Sequence, residues 1–272
     1  AVPVNIIRIS VALLLFSVLL LFRNGTILPT DFPLHAWVYL GLSGIVGFFL
    51  GDMFLFRSLV ILGPRLAMLI QSLAAPSAAI IGWLVLGEQY RATQWLGICI
   101  TLSGVGLVIM ERTPATATHG RRVRKVSLKG VAFGTAAMLG QAVGYLLSKV
   151  GMQTESGYLD AFSSTQIRAL AAFICFVLLF TITRKWSNVT RALKDTRAVA
   201  YTSMGAVVGP FIGVSLSLLI LHYLSAGVAQ TFLSLVPVVM IPFAVFLHKE
   251  RVSLRAIVGT CIAIFGIYLL MT

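Results

Sequence analysis

Residues 97–106 read GICITLSGVG, and residues 259–268 read GTCIAIFGIY. The two stretches lie 162 positions apart and share Gly, Cys, Ile and Gly in the same order. Because glycines and a charged Glu recur in register over four predicted helices, we interpret the chain as an internal duplication. The same spacing, without gaps, pairs Gly47 with Gly209, Gly51 with Gly213, Ser72 with Ser234, Leu73 with Leu235 and Glu88 with Glu250.

Apolar residues dominate the 272-residue chain. Hydrophobic residues make up 58% of it and charged residues 11%, and the mean hydropathy is +0.98. A soluble domain carries roughly 25% charged residues, and a soluble globule of this size could not hide so much apolar surface. The 17 Phe and 7 Tyr residues also exclude a disordered chain. The composition therefore predicts an integral membrane protein with the lipid bilayer as its environment.

Long apolar runs predict nine transmembrane helices. A helix needs about 20 apolar residues to cross the hydrocarbon core of a bilayer. The ten-residue alternation of a membrane β-barrel is absent, so we predict an all-α fold. The runs cover 1–22, 36–61, 66–86, 94–111, 130–150, 158–183, 199–223, 226–248 and 252–272.

The duplication divides the chain into a first repeat at 1–111, a basic linker at 112–129 and a second repeat at 130–272. The run 130–150 leads the second repeat, so symmetry predicts a further helix before Ala1, where the chain begins without an initiator Met. This gives an expected ten helices, of which nine are visible. Because five helices per repeat is an odd number, the second repeat is expected to be inverted in the membrane.

The basic residues are distributed unevenly between the predicted faces. The chain has 21 Lys and Arg against 8 Asp and Glu, a net charge of +13. Fifteen of the basic residues fall on one predicted face, and only Arg23, Arg91 and Lys149 fall on the other. Lys and Arg collect on the cytoplasmic side of membrane proteins, so this count places the linker in the cytoplasm. It also explains the charge without a nucleic-acid partner.

A few charged residues lie inside the predicted spans, where each needs a partner or a polar cavity. Asp52 either lines a cavity and binds an ammonium group or a proton, or forms a static ion pair with Arg57 or Arg8. Arg8 and Arg168 follow Ile7 and Ile167, which suggests equivalent positions in the two repeats. They either hold anionic groups or extend to the membrane interface.

Uncharged polar residues and prolines also occur inside the spans. They either line a shared polar cavity or form hydrogen bonds between helices. A proline within a helix frees a backbone carbonyl and bends the helix. The glycines at 97, 104, 259 and 266 instead predict close helix packing. With Asp52, Arg8 and Arg168, the candidate substrate-binding residues are Gln71, Ser72, Pro76, Gln141, Tyr145, Gln230, Ser234 and Pro237.

Catalytic and metal-binding motifs are absent from the sequence. It contains no HExxH, GxSxG or P-loop pattern and no paired carboxylates within a span. Its three cysteines lie in apolar runs without a CxxC pair, which indicates neither a disulfide framework nor a zinc site. We therefore expect no catalytic residue, no metal and no cofactor.

The motifs around these positions resemble the EamA domain of the drug/metabolite transporter superfamily. In the first repeat they are Pro3 and Arg8, the glycines at 44, 47 and 51, Pro76, Gly87-Glu88, Leu96-Gly97 and Ser103-Gly104-Val105-Gly106. The second copy keeps Pro237, Glu250, Gly259 and Gly266. It departs from the pattern at His248-Lys249-Glu250, where Leu-Gly-Glu is usual, and the first helix of the family is absent.

The resemblance implies ten helices in two inverted repeats around a central cavity, and export of amino acids, related metabolites or drugs. The family is also similar to nucleotide-sugar and triose-phosphate transporters, so phosphorylated and nucleotide-type substrates stay open. Members commonly have both ends in the cytoplasm, which conflicts with the charge count and leaves the orientation open. We expect a monomeric exporter of small polar metabolites, with amino acids as the expected substrates, in the inner (plasma) membrane of a bacterium. A membrane enzyme and a receptor are the alternative classes of function.

Overall fold

The computed structural model describes residues 2–110, 127–155, 157–236, 238–239 and 254–271. The first part of the chain forms helices and one π-helical segment, π1, whose wider turns replace the α-helical ones. Their bounds are α1 (Val2–Asn24), α2 (Leu34–Ser43), π1 (Gly44–Gly51), α3 (Asp52–Leu62), α4 (Pro64–Ser72), α5 (Ala74–Leu86) and α6 (Ala92–Met110).

The second part adds further helices, a short hairpin and another π-helical segment. The bounds are α7 (Leu128–Met152), β1 (Gln153–Thr154), β2 (Gly157–Tyr158), α8 (Ala161–Ile182), α9 (Trp186–Leu193), α10 (Thr196–Ala206), π2 (Val207–Gly213), α11 (Val214–Ile220), α12 (Ala226–Leu233) and α13 (Leu254–Met271). The two strands pair antiparallel, with Gln153 opposite Tyr158.

Seven apolar spans are present among the described residues. Each lies within three residues of a predicted run at either end, which confirms the first seven predicted spans. The predicted run 226–248 is described only over 226–236 and 238–239, and the run 252–272 contains the shorter apolar helix Ile257–Met271. The spans are Pro3–Asn24, Leu34–Leu62, Leu66–Leu86, Ala92–Ile109, Leu128–Met152, Ala161–Ile182 and Thr196–Ile220.

The chain forms two compact units, and each draws on both halves of the sequence. Unit 1 consists of Ala1–Met53 and Gly140–Leu224, and unit 2 of Phe54–Leu139 and Ser225–Thr272. In unit 1, α1 packs against α8 through a buried cluster that includes Ile9, Phe16 and Phe176. Aromatic rings reinforce this core, since Phe16 lies 4.9 Å from Phe211 between ring centroids.

Glycines set the position of π1 within unit 1. A Cβ added to Gly44 would lie 2.1 Å from the carbonyl oxygen of Arg168 in α8, and one added to Gly144 of α7 would lie 3.0 Å from the Cα of Gly47. Only residues without side chains allow backbones to approach this closely. The sequence GIVGFFLG at 44–51 therefore brings π1 directly against both α7 and α8.

In unit 2, α6 and α13 cross through the glycines that the sequence duplicates. A Cβ on Gly104 would lie 2.4 Å from the backbone nitrogen of Ala263, and one on Gly266 would lie 2.4 Å from that of Thr101. Gly97 and Gly259 face the partner helix at similarly short distances. The prediction that these glycines serve close helix packing is confirmed.

We predict that Gly104→Ala lowers the stability of the protein, whereas Gly106→Ala on the same helix does not. The Gly104 methyl group would collide with the backbone of α13, and overpacking of this kind costs about 1–3 kcal/mol. A Cβ on Gly106 meets only the Leu69 side chain, at 3.7 Å. Thermal unfolding of the detergent-purified variants measures the difference. Equal melting temperatures for the two variants would contradict the packing role of Gly104.

Candidate functional site

Arg168 lies at the centre of a charged cluster in unit 1. It belongs to a run of buried residues in the first two turns of α8, and only 2% of its surface is exposed. Asp160 caps this helix by accepting hydrogen bonds from the backbone nitrogen and hydroxyl of Ser163, at 2.9 and 2.8 Å. The burial of Arg168 excludes the prediction that its side chain extends to the membrane interface.

The guanidinium of Arg168 packs between an aromatic ring and bare backbone. Its Cζ lies 4.7 Å from the centroid of the Phe48 ring, a cation–π arrangement. Its Nη2 lies 3.4 Å from the position that a Cβ of Gly47 would take. The Nε and Nη1 atoms are buried and have no hydrogen-bond partner in the part of the chain that the structure describes. Arg168 is thus a buried cation with unused donors.

Asp52 follows π1 directly and forms an ion pair with Arg8 of α1. The side chains of Arg8 and Asp52 are 27% and 16% exposed. The structure thus selects Arg8, rather than Arg57, as the partner of Asp52. Arg57 instead stacks on the ring of Phe133 in unit 2, at 5.5 Å from its centroid. Asp52 and Arg168 also interact electrostatically, so the structure brings Arg8, Asp52 and Arg168 together.

Two predicted site residues of α7 lie in the same unit. Tyr145 is buried, with 1% of its surface exposed, and its hydroxyl donates a hydrogen bond to the carbonyl oxygen of Ser217 in α11. This contact is one of the hydrogen bonds between helices that the sequence allowed. Tyr145 also interacts electrostatically with Arg168. Gln141 lies half-buried one helical turn before Tyr145.

Unit 2 contains a cavity of about 130 Å³ that four of the predicted site residues line. The side-chain oxygens of Gln71 and Gln230 are buried there without a hydrogen-bond partner among the described residues. The hydroxyls of Ser72 and Ser234 donate to the carbonyls of Leu69 and Thr231 in their own helices, at 2.8 and 2.7 Å. The lining residues are Met68, Gln71, Ser72, Gln230, Leu233, Ser234 and Val236.

The lining residues occupy matching positions in the two halves of the sequence. Ser234 follows Ser72 by 162 positions, and the same spacing relates Gln230 to Met68 and Leu233 to Gln71. The duplication therefore places corresponding side chains on the two sides of one cavity. The two serines are common to both copies, but the two glutamines are not, because Gln71 aligns with Leu233 and Gln230 aligns with Met68.

Both helices that line the cavity are interrupted at corresponding residues. The helix α4 ends at Ser72, and the nitrogen of Leu73 bonds to the carbonyl of Ile70 at 3.1 Å. Pro76 lies half-buried at the start of α5 and has no N–H to offer the carbonyl of Ser72. In α12 the equivalent bond joins Leu235 to Phe232 at 3.2 Å. Pro237, also predicted for the site, lies outside the described residues.

Glu88 and Tyr90 are residues whose role the sequence reasoning missed. Gly87 ends α5 in the left-handed conformation, with φ of 65°. The carboxylate of Glu88 then accepts hydrogen bonds from the nitrogen of Ala226, at 3.0 and 3.2 Å, and the hydroxyl of Tyr90 accepts one from Gly227 at 3.1 Å. Burial and the hydrogen bond to Glu88 raise the pKa of Tyr90. The duplicated Glu was the available signal, because a carboxylate stabilises a helix N-terminus.

Among the residues that the structure describes, no group of three or more His, Cys, Asp and Glu side chains comes together. The donor sets that the fold does assemble are guanidinium, carboxylate, amide and hydroxyl groups, which suit the reversible binding of polar solutes.

The apolar spans and the buried polar groups define a multi-pass integral membrane protein. A model of the EamA-like transporter family matches residues 1–110 and 128–272. The chain belongs to the EamA-like transporter family, whose members are membrane transporters of small solutes. No curated protein matches the chain. A solved structure described as "Crystal structure of protein" has the same fold, with a TM-score of 0.69 and 15% identity over 99% of this chain and 87% of that chain.

We predict that Glu88→Ala destabilises the protein and that Glu88→Gln does so by a smaller amount. Loss of an N-cap acceptor costs about 0.5–2 kcal/mol, and Gln retains one oxygen acceptor without the negative charge. The melting temperatures of the purified variants report the effect. Glu155→Ala, at an exposed hairpin position, serves as the control. A Glu88→Ala variant as stable as this control would contradict the capping role.

Proposed function

We propose that this protein is a secondary transporter that exports small polar metabolites, with amino acids as its substrates, by alternating access. The observation that carries the proposal is the cavity of unit 2, where two interrupted helices meet and two amide oxygens have no hydrogen-bond partner among the described residues. Buried acceptors without partners are costly, and an ammonium or hydroxyl group of a solute satisfies them. Membership of a family of small-solute transporters supports the same conclusion.

We further propose that the chain is built from two inverted repeats, 1–111 and 130–272, joined by the basic linker 112–129. Local structure that recurs with the sequence supports this proposal. The segments π1 and π2 contain the matched pairs Gly47 and Gly209, and Gly51 and Gly213. The helix interruptions at Leu73 and Leu235 also match.

The interrupted helices suit a protein that alternates between two conformations. At an interruption, the chain loses a helical hydrogen bond and gains a point at which two helical segments reorient. Discontinuous helices of this kind form the substrate sites of many secondary transporters, near the midplane of the bilayer. We therefore assign Gln71, Ser72, Gln230 and Ser234 to substrate binding, and Pro76 to the flexibility of the helix that it interrupts.

The buried guanidinium of Arg168 in unit 1 has two nitrogens, Nε and Nη1, without a hydrogen-bond partner among the described residues. It favours a second class of substrates, phosphorylated or nucleotide-type metabolites, because phosphate oxygens also pair with guanidinium groups. Drugs remain a further alternative within the same transporter function. No group of residues in the described part of the chain favours the other two classes, a membrane enzyme or a receptor. We place the protein in the inner (plasma) membrane of a bacterium as a monomer that acts without a nucleic-acid partner.

The flux of radiolabelled solutes through proteoliposomes tests the proposed function. We expect the reconstituted protein to transport at least one amino acid faster than empty liposomes do. The panel includes amino acids, sugar phosphates, nucleotide sugars and cationic drugs, so each substrate class has its own readout. An absence of flux across the whole panel would overturn the proposed function, whereas flux of phosphorylated solutes alone would overturn the amino-acid assignment.

We predict that Asp52→Asn removes any dependence of transport on a pH gradient. Asp52 is a carboxylate within a span, and its ion pair with Arg8 breaks when the carboxylate takes up a proton. Asp31→Asn, an exposed loop substitution, is the matched control. Flux is measured with and without an imposed gradient in each variant. If Asp52→Asn retains the wild-type response, Asp52 is not the coupling residue.

A further inference from the structure

We propose that Arg168 binds the carboxylate of the transported solute, which makes a carboxylate the required group of the substrate. This inference rests on the proposed transport function and narrows its substrate class. It concerns the cluster of Arg8, Asp52 and Arg168 in unit 1, together with Phe48 and Gly47. The observations that support it are the charge balance, the unused donors and the packing of the guanidinium.

The charge balance of the cluster favours an anion. It contains two arginines and one aspartate, so the three charges sum to +1. Asp52 acts electrostatically on Arg168, and its own ion pair is with Arg8. A buried cation whose neighbouring carboxylate is already engaged in an ion pair attracts a second carboxylate.

The unused donors give the anion a defined place to bind. A guanidinium binds a carboxylate through either of two edges, the pair Nε and Nη2 or the pair Nη1 and Nη2. Each edge of Arg168 contains one nitrogen that has no acceptor among the described residues. Such a group in a membrane protein is expensive to keep, and the planar fork of arginine matches a carboxylate better than the ammonium of lysine does.

The contact between Arg168 and the Phe48 ring is weak enough for a solute carboxylate to bind the guanidinium in its place. The Phe48 ring stabilises the guanidinium by a cation–π contact, which is weaker than a charge-assisted hydrogen bond. A solute carboxylate that accepts hydrogen bonds from Nε or Nη1 therefore stabilises the guanidinium by more free energy than the contact with the ring contributes. A competing explanation is that Asp52 leaves Arg8 and pairs with Arg168 in another conformation, so that Asp52 itself uses the free Nε and Nη1 donors.

Two matched sets of solutes separate these explanations. The first contains L-phenylalanine, 3-phenylpropanoate and phenethylamine, and the second contains L-leucine, 4-methylpentanoate and 3-methylbutylamine. Within each set, the second compound lacks the ammonium group and the third lacks the carboxylate. Binding is measured through the thermal stabilisation of the detergent-purified protein as a function of solute concentration, a readout that does not depend on flux.

We expect the carboxylate-bearing members of at least one set to bind wild type at least about tenfold more tightly than its amine does. Arg168→Met is expected to abolish this preference, and Arg168→Lys to retain part of it. Arg57→Met, at an exposed arginine that also lies over a phenylalanine ring, is expected to leave it unchanged. Equal binding of amine and acid, no binding of any acid, or a preference that survives in Arg168→Met would each overturn the inference.

The stability of the solute-free protein provides a second test. A buried cation that serves ligand binding destabilises the ligand-free folded protein. We therefore expect Arg168→Met to raise the melting temperature by at least about 2 °C. If Asp52 were the functional partner of Arg168, the same substitution would remove an attractive charge pair and lower the melting temperature, which would overturn the inference. Absence of flux from wild type would instead count against the proposed transport function, whatever the binding assay shows.

Discussion

The close approach of π1 to α7 and α8 is the constraint on which unit 1 depends. Gly44 lies where any side chain would collide with the backbone of Arg168, and Gly47 lies against Gly144. Because these contacts are made between bare backbones, they fix the distance between the helices more tightly than side-chain packing would. The same contacts place Phe48 over Arg168 and bring Asp52, the first residue after π1, into the field of that arginine. In unit 1, the segment π1 therefore both sets the packing of the helices and positions the charged cluster of Asp52 and Arg168.

In unit 2, side chains accept hydrogen bonds from backbone nitrogens that have no partner within their own helix. Glu88 and Tyr90 satisfy nitrogens at the start of α12, and α12 then ends after two turns at the cavity. At this cavity the hydroxyls of Ser72 and Ser234 bond within their own helices, whereas the amide oxygens of Gln71 and Gln230 have no hydrogen-bond partner in the described part of the chain. The unit thus satisfies its polar groups at the helix ends and leaves acceptors at the cavity, as a site for reversible binding requires.

Several of these features could be predicted from the sequence because they depend on local pattern. The length of the apolar runs located seven spans, since the thickness of a bilayer sets the length of a helix that crosses it. Gly104 and Gly266 were recognised as packing residues because small residues inside transmembrane helices commonly allow neighbouring helices to approach closely. The π-helical geometry of π1 and the capping role of Glu88 could not be predicted, because each depends on a neighbouring segment that is distant in sequence.

The sequence by itself determined that this is a multi-pass membrane protein, where its helices lie and which polar residues lie within them. It left Asp52 with two possible partners and Arg168 with two possible environments. Only the tertiary structure decided that Arg8 pairs with Asp52 and that Arg168 is buried with unused donors. Hydropathy reports the cost of placing each residue in the bilayer, but the choice of partner depends on how helices rotate and cross. Those angles follow from packing among many residues at once.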